Sequence, residues 1–271
     1  MSATGQSRKV VLDKHLAQMR KARYGGCMIL QGRPATLHIL NLGQFAVHAG
    51  RMIGIPGYLV TTDRGERVLV DTGFADGYAA DPLAMGKAEG LADFGQLEGF
   101  GPQNLIKAQL AHLGLTPADL TLLILTHSHV DHIGGIGHFC HVPIVIGAEE
   151  RALPRPLYWA GRHPIDWPAA QWRALHEDTD LGPHLTVLHV PGHAPGQLAL
   201  RLDLPATGRV LLTSDAISRP SEPGEGFADA HDPARALVNA RRLLAMRHDL
   251  LIYGHCPEQW RELRLSPAFY D

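Results

Sequence analysis

The sequence predicts an α/β protein built from two β-sheets covered by helices. Three observations predict it. Short continuous apolar runs recur along the chain and end in a polar residue or a histidine, as strands buried on both faces do. Strands dominate the first part of the chain, and helical segments alternate with strands after it. A dense histidine and aspartate cluster then follows directly on one of the buried runs.

The elements follow in order. Residues 1–34 form an N-terminal extension, and residues 8–23 suit a short amphipathic helix that packs on the body or on the mate of a homodimer. A single domain is expected over 35–271, in a chain near the upper limit for one core. Residues 36–42 and 44–48 read as strands either side of Gly43. Residues 57–62 and 67–71 flank Asp63-Arg64-Gly65 as a hairpin. Residues 74–101, rich in Gly and Ala and without a clear period, read as a long loop covering a substrate. Residues 103–114 place Leu105, Ile106, Leu110 and Leu113 on a helical face. Strands are expected at 122–125, 142–146, 186–190, 197–202, 210–213 and 250–253. Asp232-Pro233 opens a helix over 233–246, with Asp232 as its cap.

Composition narrows the function. A net charge of −2, from 25 Lys+Arg and 27 Asp+Glu, offers no field for gripping nucleic acid or an anionic membrane. No run of about 18 apolar residues crosses a bilayer. Cys27, Cys140 and Cys256 lack metal or redox spacing and cannot all pair, which favours a reducing, cytoplasmic setting. No Gly-x-Ser-x-Gly elbow supports a serine hydrolase.

Among 17 histidines, three sit with an aspartate within six residues: His127, His129, Asp131 and His132. Imidazole and carboxylate are zinc ligands, and iron, manganese or cobalt accept the same set. In an extended segment His127 and His129 point to one side and can share an ion. Asp131 and His132, beyond a turn, can reach a second. Four side chains are too few for two ions, and three strand ends offer more: His193 after Val190-Pro191-Gly192, Asp215 after Leu212-Thr213-Ser214, and His255 after Tyr253-Gly254.

With Asp71 in Leu69-Val70-Asp71-Thr72-Gly73, these five motifs resemble, in order, the metallo-β-lactamase superfamily. The resemblance implies a four-layer αβ/βα sandwich with two divalent metal ions, zinc by expectation, at one edge. It implies that His127, His129 and His193 hold one ion, Asp131, His132 and His255 the other, and that Asp215 bridges them. Asp71 then orients a ligand histidine. Asp131 and Asp215 become the expected catalytic carboxylates.

Within the superfamily the chain is most similar to the quorum-quenching N-acyl homoserine lactonases. The cues are Pro191-Gly192-His193-Ala194-Pro195-Gly196-Gln197, the cover after Asp71, Asp215-Ala216, and His255 followed by Pro257-Glu258-Gln259. That implies opening of a small ester or lactone by a water activated between the ions. The chain departs from the pattern at Ser218, where a tyrosine is usual, and at Cys256, where aspartate is common. Tyr158 or Tyr58 are alternative sources of a phenol. Thioesterase chemistry of the glyoxalase II type, or phosphoester or aryl ester hydrolysis, is open to the same site; a non-enzymatic metal-binding module fits poorly with seven ligands intact.

Overall fold

In the computed structural model, which describes residues 28–271, neighbouring strand residues turn to opposite faces, and both faces are apolar. The helix expected over residues 8–23, and Cys27, lie outside the described residues. The first sheet contains β1 (Pro34–Val47), β2 (Met52–Thr62), β3 (Arg67–Val70), β4 (Gly95–Glu98), β5 (Leu122–Ile124), β6 (Pro143–Gly147) and β7 (Gln171–Leu175). Their order is β4-β1-β2-β3-β5-β6-β7. The second contains β8 (Thr179–Gly182), β9 (Leu185–His189), β10 (Leu198–Leu204), β11 (Gly208–Leu212) and β12 (Leu250–Ile252), in the order β12-β11-β10-β9-β8.

Three apolar layers follow from that alternation. Val68, Val70, Leu122, Ile124 and Val145 meet Val187, Leu200, Leu202 and Val210 between the sheets. Leu69, Leu123, Ile144 and Ile146 face outward onto Ile106 and Leu110 of the helix Ile106–His112. On the far side, Leu188, Ala199 and Leu211 receive Ala236, Ala240 and Leu243 of the helix Pro233–Leu244. This is the expected αβ/βα sandwich. Asp232 caps that last helix as expected, accepting the Arg235 backbone N–H at 3.0 Å.

Three elements differ from expectation. The two strands expected around Gly43 are one, β1, whose pairing with β2 slips between Asn41 and Gln44 while Gly43 takes φ +122°. A bulge bends the strand without ending it. The expected loop 74–101 instead carries the helix Pro82–Glu89 and the edge strand β4, which pairs Leu97 with Phe45. Strands β7 and β8 were not foreseen. β3, β5 and β6 run parallel, as do β11 and β12, and Asp71, His127, Asp215 and His255 all lie just beyond C-terminal strand ends. Crevices outside such ends are where α/β sheets present their chemistry.

Candidate metal centre

Beyond β5 the chain is pinned before it turns. The Thr126 N–H and Oγ1 both donate to Asp71, each at 2.8 Å, so the segment carrying His127 is tied to the end of β3. His129 is extended (φ −71°, ψ 160°) and precedes the short helix Val130–Ile133, which swings Asp131 and His132 round to a second position. Gly134 and Gly135 serve contact rather than bending. A Cβ on Gly134 would lie 2.1 Å from the Ala75 nitrogen, and one on Gly135 would lie 2.9 Å from the Thr72 carbonyl oxygen.

All seven expected side chains converge, in three groups whose ligand atoms lie within 4.8 Å of one another: His127, His129 and His193; His127, His132 and Asp215; Asp131, His132 and His255. His129 Nδ1 stands 3.0 Å from His127 Nε2 and 3.1 Å from His193 Nε2. Asp215 reaches both sides, with Oδ2 at 3.4 Å from His193 Nε2 and 2.9 Å from His255 Nε2, and Oδ1 at 3.4 Å from His132 Nε2. Asp131 Oδ2 completes the second side at 3.5 Å from His132 Nε2 and 3.6 Å from His255 Nε2. A tetrahedral ion with metal–nitrogen bonds of about 2.0–2.1 Å has ligand–ligand edges of about 3.3 Å, so this spacing fits one.

The outward nitrogens are also committed. His132 Nδ1 bonds Asp71 Oδ2 at 2.8 Å, and His255 Nδ1 bonds the Gly54 carbonyl at 2.7 Å. Each contact leaves Nε2 as the inward, ion-facing atom. Buried His132 Nε2 makes no hydrogen bond, although two carboxylate oxygens stand near it. An orphaned inward nitrogen among carboxylates is what a cation would satisfy, and the residues present fit a pair of divalent ions.

Electrostatics divides the site. Burial, reinforced by neighbouring imidazoles, holds His127 well below its ordinary pKa and lowers His193 to about 3; burial also lowers His129. Burial opposes charge on His132 and His255 too. There the carboxylates win: Asp131, Asp215 and Asp71 raise His132 to about 10, and Asp215 and Asp131 raise His255 to about 9. Against its own burial, Asp215 is held well below the usual carboxylate range by the surrounding histidines.

The other candidates fall differently. Tyr158 donates its phenol to Glu89 at 2.7 Å, whereas Tyr58 is buried in the inter-sheet core with its hydroxyl unbonded and within electrostatic reach of Asp71 and Asp215. Ser218 is buried; its N–H donates to Glu222 and its carbonyl accepts the His255 N–H at 2.8 Å. Cys256 is a buried thiol whose Sγ lies 3.5 Å from Glu258 Oε2, and burial pushes its pKa up. The Gly54 carbonyl, Ser214, whose Oγ donates to Thr126 Oγ1 at 2.9 Å, and buried Glu150 were missed by sequence reasoning. A main-chain carbonyl has no side-chain signature to find.

Known proteins share this arrangement. Residues 54–255, from within β2 to His255, match the metallo-β-lactamase superfamily. The N-acyl homoserine lactonase AttM of Azorhizobium caulinodans is 31% identical over 235 residues, covering 81% of this chain and 88% of that protein. The N-acyl homoserine lactonase AiiA of Bacillus thuringiensis subsp. kurstaki is 30% identical over 241 residues, covering 83% and 90%. A solved N-acyl homoserine lactone hydrolase, with N-hexanoyl-L-homoserine bound at its catalytic metal centre, superposes with a TM-score of 0.74 at 26% identity, covering 88% of this chain and all of that one. A two-sheet sandwich, a motif order running from Asp71 to His255, and relatives matched over four fifths of the chain lead to one assignment: this protein belongs to the metallo-β-lactamase superfamily.

Proposed function

We propose that the chain is a dinuclear metal hydrolase that opens the ester bond of a lactone ring, with N-acyl homoserine lactones as the substrate class and quorum quenching as the consequence. His127, His129 and His193 would hold one ion and Asp131, His132 and His255 the other, with zinc the ion their chemistry favours. Bound there, such ions lower the pKa of water toward neutrality and polarise an ester carbonyl.

The observation that carries the reading is Asp215, whose two oxygens stand 3.4 Å from His132 Nε2 and from His193 Nε2. One carboxylate therefore faces both halves and the space between them, where it can hold a proton and pass it to a leaving alkoxide. Asp71, through Nδ1, keeps His132 in the tautomer that turns Nε2 inward. For the acyl part, the cover meets the segment that carries Tyr158 and Trp159: Phe94 packs on Trp159 at 4.7 Å, and Glu89 accepts the Tyr158 phenol.

The test is a panel of short- and long-chain N-acyl homoserine lactones, a thioester and a phosphodiester, offered to zinc-loaded protein and to His129→Ala, with ring opening followed by acid release. Lactone turnover that His129→Ala abolishes is expected. Turnover confined to the thioester or phosphodiester, or undiminished in the variant, would overturn the assignment.

A further inference from the structure

Glu150 is a carboxylate with no exposed surface, placed just after β6, and no lysine or arginine pairs with it among the described residues. Its oxygens are taken up by neutral donors instead. Oε1 accepts the Ser128 N–H at 2.9 Å and a short bond from Ser128 Oγ; Oε2 accepts the Gly196 N–H at 3.2 Å. Ser128 lies between His127 and His129, and Gly196 lies three residues after His193. One buried side chain thus clamps both loops that carry the three-histidine half of the site.

The surroundings are shaped for that clamp. A Cβ on Gly196 would sit 2.6 Å from the Glu150 nitrogen, and one on Gly147 would sit 2.0 Å from the Gly196 carbonyl oxygen. Both glycines let the His193 loop lie directly on the turn after β6. Ser128 Oγ, while donating to Glu150, accepts the Leu157 N–H at 3.0 Å.

We infer that Glu150 is a positioning residue: acting through Ser128 and Gly196, it sets the spacing of His127, His129 and His193 and so the affinity of that half for its ion. The inference rests on the two-ion reading above. Glu150→Gln keeps the shape but turns an NH2 group toward either the Ser128 or the Gly196 N–H, a donor facing a donor, which leaves one of them unbonded.

The experiment loads metal-free protein with cobalt(II) and withdraws it with a graded chelator, reading the visible bands and the cobalt retained. In Glu150→Gln, one of the two equivalents should leave at a chelator concentration about 10–100-fold lower than in the parent. That equivalent should be the one whose bands are missing in His193→Ala, while the other behaves as in the parent. Release of both equivalents as in the parent would overturn the inference. If Glu150→Gln does not fold by circular dichroism, Ser128→Ala decides. It removes only the hydroxyl, and should loosen the same equivalent to a smaller degree; parent-like release there would equally overturn the inference. Fewer than two equivalents bound by the parent would instead overturn the two-ion reading, independently of Glu150.

Discussion

The two halves of the proposed centre use similar ligands but are held in different ways. His132 and His255 are each gripped directly, through Nδ1, by a buried acceptor: the Asp71 carboxylate and the Gly54 carbonyl. His127, His129 and His193 have no such carboxylate on the ring. Their loops are fixed instead by the Glu150 clamp on Ser128 and Gly196 and by main-chain contacts, with Leu198 N–H donating to Thr126, Tyr158 N–H to Ser128, Val130 N–H to Tyr158, and His231 N–H to His193. The charge balance differs likewise. Burial lowers the pKa values on the three-histidine side, whereas carboxylates raise those of His132 and His255 on the other. One half is held at its imidazole rings and the other through the loops that carry its histidines, so substitutions should separate them.

Asp215 belongs to both halves and should show the largest effect. Asp215→Ala removes the only carboxylate, among the described residues, that meets the inward nitrogens of both sides. Metal content should fall from two ions towards none and lactone hydrolysis to background, measured by elemental analysis beside an activity assay. Retention of both ions would show that the halves are independent sites. Asp71→Asn comes next. One amide oxygen cannot serve all three donors of the carboxylate. At the Oδ2 position it keeps Thr126 Oγ1 and His132 but turns its NH2 on the Thr126 N–H, and at the Oδ1 position it loses His132. The expected cost is about 10–100-fold in affinity, larger at the half that holds His132. Chelator titration checks it, and an equal loss at the three-histidine half would erase the distinction drawn here.

Much of this was legible in the sequence because the chemistry is local. His127, His129, Asp131 and His132 lie within one short stretch, and apolar runs such as 122–125 expose their strands without any tertiary information. The parts that were not legible lack a local signal. β7 shows mostly exposed residues, with only Leu175 fully inside, so no alternation marks it. The helix Pro82–Glu89 has the same start as the helix after Asp232: Asp81 accepts the Ala84 N–H at 2.9 Å, Pro82 follows, and Gly90 ends it at φ +76°. The segment reads as loop because its apolar residues make no continuous stripe, although Asp81-Pro82 and Gly90 are start and stop signals. Glu150 is harder still. Beside Glu149, which meets His189 at 2.9 Å near the surface, nothing in the sequence says which of the two carboxylates turns inward.

The smallest predicted effect separates side chain from backbone on the three-histidine side. Tyr158 takes φ +57° and brackets His129 with its main chain, while its phenol points to the cover and shares Glu89 Oε2 with the Tyr78 hydroxyl, at 2.7 and 2.6 Å. Tyr158→Phe removes only the phenol. A hydrogen bond to a charged acceptor contributes about 1.5–3 kcal/mol, so thermal stability should drop by that order, and less if Tyr78 tightens onto the freed carboxylate. Both ions should stay bound with parent affinity, because the N–H and carbonyl that hold Ser128 and Val130 are untouched. Loosening of the cover should appear as a higher KM for long-chain lactones at little changed kcat. Loss of an ion from Tyr158→Phe would mean that the cover as well as the loops supports His129, and the contrast between a ring-held half and a loop-held half would fail.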